Sequence, residues 1–207
     1  PWSNSDILER ILRRGFLKVA LIHDWLTGMR GGEKVLEVLC EIFPEADLYT
    51  IIHVPGSVSG IIEKRKITTS FIQRIPGARS RYRSFLPLFP MAVEGFDLSG
   101  YDLVVSSSHC AAKGVIPPSN ALHVSYMHTP MRYVWDMYND YFGPARAGFL
   151  KRKAIGVFAH YLRMWDITSS ARVDHYIANS AHVARRIGKF YRRGSTVIHP
   201  PVDCSRF

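Results

Sequence analysis

Apolar positions along this chain recur with two periods. Residues 17–23 (LKVALIH) are a short apolar run rich in β-formers, as suits a strand buried on both faces. After the loop DWLTGMRGG, the run EKVLEVLCEIF puts Val35, Leu36, Leu39, Ile42 and Phe43 at helical spacing, and Pro44 stops it. Residues 47–52 read as a second strand. Strand, helix and strand in this order predict a parallel βαβ unit. Further on, KITTSF suits a short strand, and residues 81–96 carry helical patterning broken at Pro87 and Pro90. Strand patterns return at residues 102–107, 122–127 and 174–179, with a last one in STVIHPP. Helical patterns cover about residues 133–141, about 150–172 and 181–191. The sum is a Rossmann-like α/β fold: six or seven mostly parallel strands with helices on both faces.

Function in such a sheet collects at the carboxyl ends of the strands, around the switch point. His23 and Asp24 follow the first strand, Ser106 to His109 a later one, His128 and Thr129 the next, and Asn179 and Ser180 the last. Four polar strand ends predict a cleft, although strand ends that simply meet water are polar too. Gly31 and Gly32 stand just before the first helix, where missing side chains let a ligand reach unpaired N–H groups that favour phosphate. The spacing is G-x-x-G-G, not the dinucleotide G-x-G-x-x-G, and no P-loop Lys-Ser/Thr follows. That argues against nicotinamide and ATP-hydrolysing enzymes, while a glycine pair also serves plain turns.

Composition narrows the class. The 207 residues suffice for one α/β domain. No run of eighteen apolar residues occurs, and the first sixteen residues lack the apolar core of a secretory signal. Cys40, Cys110 and Cys204 are far apart, which fits small buried hydrophobes in a reducing compartment. The net charge of +10 calls for a polyanion, an anionic membrane face or a phosphorylated substrate. No nucleic-acid-binding motif is present, so nucleic acid is not an expected partner. Arg79, Arg81 and Arg83 adjoin Phe85, Leu86, Leu88 and Phe89, and RAGFLKRKAIGVFAHYLRMW mixes basic and apolar residues again. Such stretches suit a helix on anionic lipid, and equally a helix packed on the sheet with a solvated basic face.

The run VALIHDWLTGMRGGEKVLEVLCEIFPEADLYT resembles the opening of glycosyltransferase family 4, the retaining enzymes of GT-B fold. The resemblance continues through YDLVVSSSHCAAKGV, HVSYMHTPMRYVWDMYNDYF, RVDHYIANSAHVARRI and VIHPPVD, in the family's order, across residues 17–203. It implies the N-terminal half of a GT-B fold. Residues 17–200 would be the acceptor-binding domain, 1–16 an extension, and 201–207 the start of a linker to a C-terminal donor-binding domain outside this chain. The chain alone is then expected to be inactive. The implied donor is a GDP- or UDP-sugar, used as substrate with no cofactor and no metal; the acceptor is a glycan or a lipid-linked sugar.

Carried over by position, Gly31 and Gly32 match the glycine loop that approaches the donor diphosphate. His128, in YMHTP, matches the histidine beside the transferred sugar, where it orders the site and is not a general base. Asp24 and His109 become candidate acceptor or sugar contacts, with His23 closing the first strand. Arg132, Tyr133 and Asp136 become candidate acceptor-facing residues, although aromatics at helical spacing also suit a core. His53, His123, His160, His175, His182 and His199 fit structural roles. Glu33 and Glu41 satisfy Glu-x7-Glu formally but fall on the first helix, where a solvated face is expected. The resemblance suggests a mannosyltransferase of polysaccharide or glycolipid assembly, cytoplasmic and peripheral on the inner face of the plasma membrane. A cleft face meant for a partner domain would also favour a homodimer. The alternative is a non-catalytic module that binds a glycan or an anionic membrane.

Overall fold

The computed structural model describes residues 17–135 and 149–202. Among these residues seven strands form a single sheet: β1 (Val19–His23), β2 (Asp47–Thr50), β3 (Ile67–Thr69), β4 (Leu103–Ser108), β5 (Leu122–Met127), β6 (His175–Ala178) and β7 (Thr196–Val197). Their order is β3-β2-β1-β4-β5-β6-β7, and every pairing is parallel. The chain moves outward from β1 to β3, returns to the centre at β4 and proceeds to the other edge. The switch point therefore lies between β1 and β4, where a doubly wound sheet opens its crevice.

All five residues of β1 are buried, and its four apolar residues alternate between two cores. Val19 and Leu21 join Leu36 and Cys40 of α1 (Gly31–Ile42) and Ile62 of α2 (Gly60–Glu63). Ala20 and Ile22 face the opposite layer, with Phe89 and Val93 of α4 (Phe89–Glu94) and Leu162 and Trp165 of α6 (Phe149–Ser170). Between these elements lies the one-turn helix α3 (Ala78–Arg81). A third cluster joins β6 to α7 (Ala181–Tyr191). Burial on both faces explains the unbroken apolar run of the first strand.

Residues 81–96 follow their prolines. A 3-10 helix spans Tyr82–Leu88 with Pro87 inside it, and Pro90 sits in the first turn of α4, where its missing N–H costs no bond. Phe89 and Val93 are buried there, so this basic-apolar stretch is packed into the fold. The helix expected over 133–141 begins earlier, at α5 (Arg132–Trp135); its later part lies outside the described residues.

Helix α6 turns Ala159, Leu162 and Trp165 inward and leaves Val157, Phe158, Tyr161, Met164 and Ile167 exposed. Its inner face also carries a buried ion pair. Lys113 Nζ lies 3.0 Å from Asp166 Oδ1 and donates to Ser169 Oγ and the Asp166 carbonyl, both at 2.8 Å. The other carboxylate oxygen accepts from Trp135 Nε1 at 2.7 Å and Tyr191 O–H at 3.0 Å. Burial pulls the Lys113 pKa down against the attraction of Asp166. This network ties the loop after β4 to α5, α6 and α7, and its members satisfy one another.

Candidate functional site

Asp24 directly follows β1 and is fully buried. One carboxylate oxygen accepts the backbone N–H of His109 and Cys110 at 2.7 and 2.9 Å; the other accepts those of Ala111 and Ala112 at 2.6 and 2.8 Å. His109 Nδ1 lies 3.0 Å from the same carboxylate. Burial pushes the Asp24 pKa up, but His109 and the converging N–H donors outweigh it and hold the group below its usual value. The expectation that Asp24 meets a sugar is corrected here: its oxygens are occupied and it has no exposure. It clamps the loop after β4 to the end of β1, across the switch point.

Above the clamp lies a row of side chains from neighbouring strand ends. In the sheet register His23 sits beside Ser107, and Ser107 beside Tyr126, two residues before His128. His23 Nδ1 is 3.1 Å from Ser107 Oγ, and that oxygen is 2.9 Å from His128 Nε2. Burial, reinforced by His23 and His109, pushes the His128 pKa down to about 3. The imidazole is therefore neutral at pH 7 and a poor base, so its chemistry is hydrogen bonding. Burial also lowers the His109 pKa against the pull of Asp24. The His109 ring stands edge-on to Trp25, with centroids 4.3 Å apart.

Gly31 and Gly32 are the first two residues of α1, one step further into the helix than a loop just before it. Their N–H groups thus belong to the first turn, which has no intrahelical acceptors. A Cβ on Gly32 would stand 3.5 Å from His23 Cε1 and 3.7 Å from His128 Nε2, so the helix start lies directly against these two rings. Gly31 faces open space.

These groups line a cleft of about 680 Å³ together with Trp25, Arg132 and Tyr133. That volume falls in the range of small-molecule sites. Among the described residues, Arg30, Arg83, Arg132 and Arg186 contribute to the lining, against one carboxylate, Glu33. Gly31, Gly32, His109, His128, Arg132 and Tyr133 are therefore brought together, and Asp24 lies beneath them. Asp136 lies outside the described residues.

Three side chains stand apart from their sequence reading. Glu33 is buried at the cleft, only 4% exposed, and does not lie on a solvated face; Glu41 is exposed. Glu33 accepts the Arg30 N–H at 3.0 Å and approaches His23 Nε2 to 3.7 Å. Burial raises its pKa, but His23 and the Arg30 N–H outweigh it and keep the carboxyl below its usual value. His182, read as structural, is exposed and lines the cleft from the first turn of α7. Arg83 reaches the cleft from the 3-10 helix. Ser107, which joins the two imidazoles, could have been picked out by its place in the SSSH strand end. His123 is structural, as expected: it is buried between Ser106 Oγ at 3.0 Å and the Arg172 carbonyl at 3.1 Å, and burial pulls its pKa down to about 4.

Among the described helices none is long and apolar enough to cross a membrane. No individual curated protein matches the sequence. The family model described as Glycosyltransferase Family 4 matches residues 29–206, from the loop before α1 through the last strand. With an all-parallel Rossmann-like sheet and a cleft at its switch point, this chain belongs to Glycosyltransferase Family 4.

Proposed function

We propose that this chain is the acceptor-binding half of a retaining, sugar-nucleotide-dependent glycosyltransferase. The observation that carries the reading is the convergence of Gly32, His109 and His128 on one cleft at the β1–β4 switch point. In this reading the donor is a GDP- or UDP-sugar whose diphosphate approaches the N–H groups of Gly31 and Gly32, where the helix start favours anions. His128, neutral and anchored by Ser107, hydrogen-bonds a hydroxyl of the transferred sugar. His109, Arg132 and Tyr133 face a glycan or lipid-linked acceptor, with the tyrosine ring offering a stacking face. Developing charge on the departing diphosphate is met by fixed N–H groups and arginines, which need no rearrangement during reaction. No metal or cofactor enters this scheme. The remaining contacts to the donor come from a second domain across the cleft, so this half alone transfers no sugar.

A mannosyl donor and a role in polysaccharide or glycolipid assembly complete the proposal, at the cytoplasmic face of a membrane. The exposed apolar row on α6 supports peripheral membrane attachment. It equally supports the second reading, a glycan- or membrane-binding module without catalysis.

The test is sugar transfer from radiolabelled GDP- and UDP-sugars to membrane lipid extract. Protein carrying both domains should transfer, the 207-residue chain should not, and His128→Ala in the two-domain protein should lose most of the activity. Transfer by neither, with vesicle or glycan binding retained by the chain, would establish the second reading in place of the first.

A further inference from the structure

His23, Ser107 and His128 share one hydroxyl. Ser107 is fully buried, and among the described residues its Oγ has these two imidazole nitrogens as its hydrogen-bond partners; accepting from both would strand its own O–H, so it donates to one and accepts from the other. Two arrangements satisfy the distances of 3.1 and 2.9 Å. They differ in which nitrogen of His128 is left bare: in one, the cleft receives an N–H donor from Nδ1; in the other, a lone-pair acceptor.

Glu33 selects between them. Among the described residues His23 Nε2, a buried nitrogen, has no hydrogen-bond partner, and the Glu33 carboxylate, 3.7 Å away, faces it. A lone pair aimed at a buried carboxylate is unfavourable, and an N–H aimed at it is favourable. His23 therefore keeps its proton on Nε2, and its bare Nδ1 accepts the Ser107 O–H. The Ser107 oxygen then accepts from His128 Nε2–H. Among the described residues His128 Nδ1 has no hydrogen-bond partner, and the ring lines the cleft.

We propose that Glu33 is a positioning residue which, through His23 and Ser107, fixes His128 with its proton on Nε2 and presents Nδ1 to the cleft as an acceptor. A bare Nδ1 selects a ligand that donates a hydrogen bond, such as a sugar hydroxyl, and disfavours a carbonyl or phosphate oxygen at the same spot. The tautomer stands on this geometry alone, while its use in sugar transfer rests on the function proposed above.

Glu33→Gln reverses the row. The Arg30 N–H requires an acceptor where Glu33 Oε2 now sits, so the glutamine oxygen takes that place and its NH2 faces His23. His23 Nε2 must then accept, Nδ1 must donate to Ser107, Ser107 must donate to His128 Nε2, and the His128 proton moves to Nδ1.

The experiment is long-range proton–nitrogen NMR on the imidazoles of the folded, 15N-labelled chain at neutral pH. Wild type should show His128 with a protonated Nε2 and a bare Nδ1, and Glu33→Gln should show the opposite. Ser107→Ala is the second variant, should Glu33→Gln fail to fold; it should leave His23 protonated on Nε2 and give His128 a mixture of tautomers. A protonated Nδ1 in wild-type His128 would overturn the proposal. So would a His128 signature unmoved by whichever variant folds. In the two-domain protein the reversed tautomer should lower kcat on the order of tenfold with little change in KM for the donor, the scale of one mispaired hydrogen bond. Absence of transfer even by wild type would count against the transferase reading and leave the tautomer result intact.

Discussion

Asp24→Asn tests whether the clamp beneath the cleft is made of charge and geometry together. The wild-type carboxylate holds four backbone N–H groups, two on each oxygen, at 2.6 to 2.9 Å. Asparagine retains one oxygen, which can keep one pair, and turns an NH2 group toward the other. Two buried donors then lose their acceptor, at roughly 1–3 kcal/mol each. The sum, about 4 kcal/mol, is a large share of the roughly 5–15 kcal/mol that stabilises an ordinary domain. Urea unfolding of the two proteins at pH 7 measures it, with the slope m checked for constancy. The pH dependence supplies a second signature. The folded pKa of Asp24 is depressed, so its stabilisation is present above the unfolded value of about 3.9 and is lost as pH falls through the folded value. The gap between the proteins should therefore be flat near neutrality and narrow below about pH 4. A gap under about 1 kcal/mol at pH 7, or one that widens in acid, would refute this account.

The other predictions concern packing and approach. Lys113→Met leaves the buried Asp166 carboxylate without its cation and should cost about 3–5 kcal/mol by urea unfolding, since breaking one side of a buried pair strands the other. Gly32→Ala should fold with stability within about 1 kcal/mol of wild type, because the added methyl makes ordinary contacts and alanine favours a helix. The same methyl stands between the start of α1 and His128, so under the proposed function sugar transfer by a protein carrying both domains should fall while thermal stability holds. Gly114→Ala should destabilise by about 1–3 kcal/mol in thermal melts, because its Cβ would overlap the ring of Trp165, itself pinned to Glu94 through Nε1 at 2.8 Å.

The sheet was readable in the sequence because burial on both faces leaves runs such as VALIH and LVVSSS with little ambiguity. The polar ends of those runs also marked where the cleft would open. Side-chain duties were less readable, for a physical reason. Asp24 takes its partners from backbone N–H groups more than eighty positions away, and backbone donors leave no residue-type signature. Glu33 looked like one more acid on an amphipathic helix. Helical periodicity assigns it a face but does not reveal that a glycine pair in the same turn brings that face against two imidazoles. Lys113 and Asp166, fifty-three positions apart, gave no hint of pairing because neither lies in a charged cluster.

The clamp on Asp24 has a consequence for how the protein is made. Strands β1, β2 and β3 are complete within the first 69 residues, but the edge of β1 away from β2 waits for β4. Until residue 112 has left the ribosome, Asp24 lacks its donors and the backbone edge of an apolar strand is unpaired. Contacts of such long sequence separation form late, and an open edge of this kind invites association with other chains. Biogenesis thus runs from one flank of the sheet toward its centre, and the cleft is born only when the second half of the chain arrives. A stalled or prematurely ended product would contain a helix with its glycine pair but no floor beneath it, and would be a client for chaperones.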